Sequence, residues 1–527
     1  MIRDRMKTDP IPVVRQHRPV RVRNFTSAAP GKCTPIMAFG LLRGDSCSGR
    51  VNVAVEMQET YEVLFNPMQA RINMWFVPKV ALDRFQRNKT YFERSAVGEP
   101  ITNEPGAPTI PFLQTEAFAV NPIYKALGLD DTAGRNVVTD YRESYNQLIR
   151  HSYRQRSKSL AERALNDTSL ATAMWGPSAF STMVPDFDAG LIAGATPLTV
   201  VAADMPVQVG NQGITVAAVQ RPNGDSVRLE TSSGIVVASD SLNSDSRAAL
   251  YAKLSTNGIN VQLANIDQAR KLVEWAKMRE HYEGHKDPYI LETLMAGLPI
   301  DDQVWMMPML IDSVMLDFRQ LKRMATDGAN LVNGVANGLL ETSLGVNIPQ
   351  NPYGGVVMAT IELIPEQLYE RQADPYFTTT DLNELPRYDR DMLNPMPVVA
   401  VKNREVDVRH NNPEGRFAYA ERNWKWAHNP TRVGGDLYAP NGDTETGIDR
   451  RVIYPTDVAN PALNTEFYLA TTLGKSVFVD QTRDPFKVGI GGMLDVIGLT
   501  VIGEVHESEA NYDAVRAEYA PLIPPAS

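Results

Sequence analysis

A chain of 527 residues with 43% hydrophobic and 22% charged content can bury a large core. Its net charge of −10 discourages a nucleic-acid partner for the body as a whole, and no run of eighteen apolar residues offers a membrane span. The 36 prolines and 35 glycines are spread along the sequence, which favours many turns and β structure over a helical bundle.

Charge is unevenly placed. Residues 1–25 hold Arg3, Arg5, Lys7, Arg15, Arg18, Arg21 and Arg23 against Asp4 and Asp9, a net of +5 that leaves −15 for the remainder. Residues 1–30 are basic, contain proline and are weakly apolar, so they predict an extended arm without the apolar core of a signal peptide. From 34 to 78 the pattern is β. Val51, Val53, Val55 and Met57 alternate with Asn52, Ala54 and Glu56, after a turn at "LLRGDS". In "QARINMWFVPKVALDRF" (69–85), Ile72, Met74 and Phe76 share one face, while Arg71, Asn73, Trp75 and Val77 share the other. Both faces carry bulk, so both must be covered. "VALDRFQRN" predicts one or two helical turns after Pro78.

Residues 95–135 predict a long surface connection. The stretch 140–165 has helical spacing in part and carries Arg142, Arg150, Arg154, Arg156, Lys158 and Arg163, available to pair with acidic surfaces at interfaces. Residues 190–250 are rich in Val, Thr and small residues and contain no Trp, Tyr or Phe. They predict a small β insertion standing on the main body. Helices are expected at 265–283, with a cap at Asn265 and a stop at Gly284, and near "DSVMLDFRQLKRMA". After residue 350 strands and loops return, ending in an alternating strand at 493–507.

Enzyme signatures are absent: no nucleophile elbow, phosphate loop, dinucleotide fingerprint or paired-histidine metal motif stands in the chain. His281 and His285 have metal-pair spacing, but Gly284 and Pro288 break the helix that would align them, so a polar helix end is the better reading. Glu362, Glu366 and Glu370 predict a solvated face. Cys33 and Cys47 fit no metal spacing and predict two free thiols of a reducing cytoplasm. "RFAYAERNWKW" (416–426) interleaves Phe417, Tyr419, Trp424 and Trp426 with Arg416, Arg422 and Lys425. That could be a stacking platform for single-stranded nucleic acid, but ordinary packing of the rings explains it more simply.

Two stretches resemble one family. "CTPIMAFGLLRGDSCSGRVNVAVEM…FNPMQARINMWFVPKVALDRF" (33–85) is similar to the N-terminal region of microvirus (Microviridae) major capsid proteins. It has Thr34–Pro35, the Gly44–Asp45 turn, the strand Val51–Met57, and Trp75–Phe76–Val77–Pro78 leading to Phe85. "FAYAERNWKWAHNPTRVGGDL" (417–437) resembles a segment of the gokushovirus-like branch, with Asn423–Trp424 in place of an aromatic–small pair.

The resemblance implies a mainly β fold: an eight-stranded viral jelly roll spanning 31–527, with long inter-strand insertions, a few helices and the 190–250 insertion on its outer surface. It implies a structural protein of a bacteriophage virion, not an enzyme, with no cofactor and no metal. About sixty copies would self-assemble into a T=1 icosahedral capsid around a circular single-stranded DNA genome, in the bacterial host cytoplasm. Implied partners are further copies of itself, the DNA, a small DNA-binding protein, a pilot protein and a host surface receptor, without membrane insertion. Arg3, Arg5, Lys7, Arg15, Arg18, Arg21 and Arg23 are the candidate nucleic-acid contacts; the other use for such an arm is to run beneath a neighbouring subunit. A β-sandwich that binds or cleaves carbohydrate is the alternative.

Overall fold

The computed structural model describes residues 15–176 except 132–133 and 158, positions 178, 180 and 183, three short strands between 219 and 239, and 305–499 except 324–334, 394–397, 439–449, 457 and 472. The chain is mainly β and its long sheets are antiparallel. Four strands follow one another closely: β1 (Gln16–Ala28), β2 (Lys32–Leu41), β3 (Ser46–Thr60) and β4 (Met68–Pro78). A long excursion contains the small hairpin β5 (Thr115–Ala117) and β6 (Asn136–Val138), and the two-residue strand β7 (Ala171–Thr172). β8 (Val219–Gln220), β9 (Ser226–Ser232) and β10 (Ile235–Ser239) pair in order within a separate compact unit, Phe187–Leu291. Then come β11 (Met309–Asp317), β12 (Arg319–Arg323), β13 (Val335–Ile348) and β14 (Gly355–Pro365). A second excursion holds β15 (Val398–Lys402) and β16 (Arg416–Glu421), and β17 (Phe486–Gly498) closes the described chain.

The first sheet has the order β1-β17-β3-β13-β12, and the second β11-β4-β14-β2-β7. The eight long strands pair as nested hairpins: β1 with β17, β2 with β14, β3 with β13, and β4 with β11. Short turns make the switches between sheets. At the β2–β3 turn, Gly44 sits at φ +86, where a side chain would be strained, and the Asp45 carboxylate accepts from the Leu42 backbone at 2.8 Å.

Alternation decides what lies between the sheets. Val51, Val53, Val55 and Met57 of β3 turn inward and join Ile72, Met74 and Phe76 of β4 in one buried cluster. The other face of β4 is covered as well. Trp75 and Val77 belong to a second cluster with Tyr145, Leu148 and Ile149 of helix α3 (Asp140–Arg156). The chain covers Trp75 with its own excursion, which meets the requirement that both faces of β4 be covered. The Tyr145 hydroxyl donates to the Cys33 carbonyl at 2.6 Å and accepts from the Ala171 amide at 2.9 Å, tying α3 to the sheet. The expected turns after Pro78 are present as Lys79–Ala81 and Asp83–Phe85. From them Lys79 and Arg84 clamp Asp140 at the start of α3, and Arg84 also holds Glu143 at 3.0 Å.

Several expectations are corrected. Gln16–Ala28 is not a free arm; all thirteen residues pair with β17. In place of the helix expected near 312–325, Met309–Asp317 and Arg319–Arg323 are strands. β11 lies in one sheet and β12 in the other, and buried Phe318 marks the crossing, which breaks the two-residue period. Glu362 is not solvated: it is buried on β14 and paired with Arg71 at 2.8 Å, because the second sheet is covered on both faces. Burial is also the main cause that raises its carboxyl, against the opposing pull of Arg71. α3 ends at Arg156, Lys158 lies outside the described residues, and arginines of this stretch are engaged within the chain. Arg142 pairs with Glu116, Arg150 with Asp83, Arg154 with Glu162, and Arg163 with Asp167. The expected helix at 265–283, His281 and His285, most of 190–250, and the end of the 493–507 strand lie outside the described residues.

Cys33 and Cys47 are free and buried, in opposite sheets. Burial pushes the Cys33 thiol well up and the Cys47 thiol up to about 12.

His151 of α3 packs edge-on against Trp75, with ring centroids 6.4 Å apart. Burial first, then Arg87 and Arg154, lower its pKa from 6.5 to about 4. The unfolded chain takes up this proton near 6.5 while the fold resists it until about 4. The contribution is therefore intact above pH 6.5 and is lost as pH falls towards 4. Denaturant titrations at pH 7 and pH 4 should show a stability loss for the wild type that is smaller by about 2 to 3 kcal/mol in His151→Gln; an equal loss in both proteins would refute the assignment.

Candidate nucleic-acid interface

Among the described residues nothing covers the outer face of the first sheet, whereas that of the second is covered. On β1, Val22 turns into the core, while Arg21, Arg23 and Phe25 point outward. β17 lies between β1 and β3 and presents Gly489 and Gly491 on the same face. Two cross-strand rows follow from the register. Arg23 lies beside Gly491, Asn52 and Ser343; Phe25 lies beside Gly489, Ala54 and Glu341. Strands are spaced by about 4.8 Å, so the row from β1 to β13 spans about 14 Å. Its middle is floored by glycine and alanine, giving an open trough with Arg21, Arg23 and Phe25 along one wall and Glu341 and Ser343 along the other.

The floor is low because side chains are missing, not because they are crowded out. A Cβ added at Gly491 would come no nearer than 3.9 Å to any neighbour, whereas one at Gly492, on the opposite face, would meet the Arg50 carbonyl at 2.5 Å. Phe25 is 71% exposed, and the Arg23 guanidinium lies 5.3 Å from its ring centroid. Arg50 of β3 adds a third exposed guanidinium near the same face. Among the described residues no carboxylate lies within salt-bridge distance of Arg21, Arg23 or Arg50, while Lys487 is matched by Glu56 at 3.3 Å. An acidic chain thus carries a local cationic strip beside an exposed ring, the pairing of charge and stacking surface that single-stranded nucleic acid uses.

The structure divides the seven candidate residues. Arg21 and Arg23 reach the trough. Arg18 turns the other way and binds the buried Asp45 at 2.6 Å, so it holds the β2–β3 turn and is not available to a ligand. Gly498 is part of that arrangement, since a Cβ there would overlap the Asp45 carboxylate. Arg15 donates to Gln350. Arg3, Arg5 and Lys7 lie outside the described residues.

The 416–426 stretch is packing. Phe417 and Tyr419 are buried, Phe417 meets Phe467 at 5.3 Å, and Lys425 lies 3.6 Å from both Glu384 and Glu405. Sequence reasoning missed Phe25, Arg50, Asn52, Gly489 and Gly491. "VRVRNF" and "VGIGG" do carry period-two alternation, but nothing local says that the two segments are neighbours. Among the described residues no group of three potential ligands could hold a metal ion. In comparisons with known proteins, no family model and no curated protein matches this chain.

Two substitutions test the trough. Each phosphate contact contributes roughly 0.7 to the slope of log affinity against log salt on a single strand, so R21Q/R23Q should flatten that slope by about 1.4 for an oligothymidylate. Gly491→Val puts a β-favouring side chain into open space; it should leave the melting temperature unchanged and weaken the same oligonucleotide at least tenfold. Unaltered binding in both variants places the contact elsewhere.

Proposed function

We propose that this chain is the major capsid protein of a microvirus. About sixty copies self-assemble into a T=1 icosahedral shell around a circular single-stranded DNA genome. The observation that carries this reading is the nested pairing of eight long strands, β1 with β17 through β4 with β11, split between two facing sheets. That pairing supports a jelly-roll reading, a fold that viral shell subunits use. Two long excursions, between β4 and β11 and between β14 and β17, fit the inter-strand insertions that the resemblance implies. The 33–85 motif falls on β2, β3, β4 and the turns after Pro78, and the 417–437 motif begins on β16.

In this reading the trough faces the genome. Arg21 and Arg23 meet phosphate and Phe25 offers a face for a base, contacts that need no particular sequence. Arg3, Arg5 and Lys7 add cationic charge upstream of β1, and the strongly negative remainder of the chain stays away from the DNA. The carbohydrate-cleaving form of the alternative requires two facing carboxylates in one cleft. The clefts at Tyr369–Asp407, at Leu41–Tyr141 and along the trough each carry a single carboxylate.

Electron microscopy of protein purified from expressing bacteria tests the proposal. The expected result is uniform isometric shells with about sixty subunits. A monodisperse monomer that binds glycans would overturn it.

A further inference from the structure

One surface segment is built the wrong way round for a chain that stays alone in water. Residues 374–393 leave the second excursion as a helical turn, Pro375–Thr378, and a short helix, Tyr388–Leu393. Asp374 and Asp391 reach towards the body and Glu384 does so in part, while Arg387 and Asp389 pair with each other on the exposed side. Asp374 caps the first turn through the amides of Tyr376 and Phe377 and pairs with Arg432. Glu384 lies 3.6 Å from Lys425, and Asp391 accepts from Asn423 at 2.8 Å and lies 3.6 Å from Arg422. Those partners belong to the 416–432 stretch, whose strand and tryptophan turn rest on the Phe180, Phe417 and Phe467 cluster. The large apolar side chains point away. Tyr376, Phe377, Leu382, Tyr388 and Met392 are between 67% and 87% exposed. Tyr388 and Met392 are four residues apart on a helical segment and share a face.

Rings displayed outward while Asp374 and Asp391 are anchored inward reverse the pattern of an ordinary surface helix. We infer that the 374–393 segment is a contact surface for a second copy of this chain. The three rings alone expose about 500 Å², and one side of a standard protein–protein interface is about 800 Å². These few residues thus supply more than half of what a stable contact between copies needs. The composition also selects the class of partner. Tyr, Phe and Met are enriched at protein interface cores and Lys is depleted; the segment has three such rings, an exposed Met and no Lys. Its five acidic residues against two arginines repel nucleic acid and anionic lipid. The inference rests on the self-assembly reading and names one surface through which it proceeds.

The test compares wild type with Y376S/F377S/Y388S by sedimentation velocity, circular dichroism and hydroxyl-radical footprinting. These side chains are already exposed in the subunit, so the variant should keep its spectrum and its melting temperature within about 2 °C. Its assembled fraction should fall at least tenfold. In wild-type assemblies, oxidation of Phe377 and Tyr388 should fall at least fivefold relative to dissociated subunits, a readout that needs no substitution. A folded variant that assembles as well as wild type, or rings that stay equally oxidised in the assembly, overturns the inference while the capsid reading stands. If wild type forms only small oligomers and the variant dissociates them, the contact surface stands and the shell reading fails. A wild type that is monomeric at every concentration overturns both.

Discussion

The fold depends on one requirement: the second sheet has to be dry on both faces. β4 and β14 carry apolar side chains on both sides, so packing against the first sheet satisfies only half of each strand. The remaining half obliges the chain to supply its own cover, and the two long excursions do this with α3 and the aromatic cluster around Phe180. Charge inside that cover must be paired. Arg71 and Glu362 meet beneath it, with a second Arg71 nitrogen on the Trp175 carbonyl at 3.2 Å. Removing either partner alone leaves a buried charge, which costs about 3 to 5 kcal/mol. The pair adds little net stability; it fixes which residues of β4 and β14 lie side by side.

Covering one sheet leaves the other bare, and this asymmetry creates the candidate site. A face that none of the described residues protects stays soluble only if its apolar side chains turn inward and its outer positions are small or polar. Gly489, Gly491, Ala54, Asn52 and the arginines of β1 obey that rule, while Phe25 does not. Phe25 stands on the edge strand β1 beside Arg21 and Arg23, and Met493, Leu339 and Leu321 are further exposed apolar side chains on β17, β13 and β12. The two surfaces proposed for partners therefore have opposite chemistry, cationic and glycine-floored in one place, aromatic and acidic in the other, and do not compete for one ligand.

What could be read from the sequence was whatever is local. Val51–Met57 and Ile72–Phe76 announced both strand type and inward face by alternation, and the turns at Gly44 and after Pro78 followed from their residues. The failures share one cause. Between Met309 and Arg323 the chain passes from one sheet to the other at Phe318, and a strand interrupted in this way mimics helical spacing. The burial of Glu362 depends on Arg71, 291 residues away. Likewise, Arg18, Arg21 and Arg23 looked alike in a basic segment. Only the pairing of β1 with β17 sends the first to Asp45 and the other two to the surface.

That pairing has a consequence for how the molecule comes into being. β17 is the central neighbour that joins β1 to β3, so until residue 498 leaves the ribosome β1 has no partner in its sheet. Closure of so long a loop is slow, and N-terminal segments wait through most of synthesis for their last contacts. The floor of the trough is the same late strand. A nascent chain can thus expose its arginines but cannot yet hold them beside Gly489 and Gly491. The polyanion site proposed above therefore forms only after β17 has been made, and a chain cut short of β17 lacks its floor.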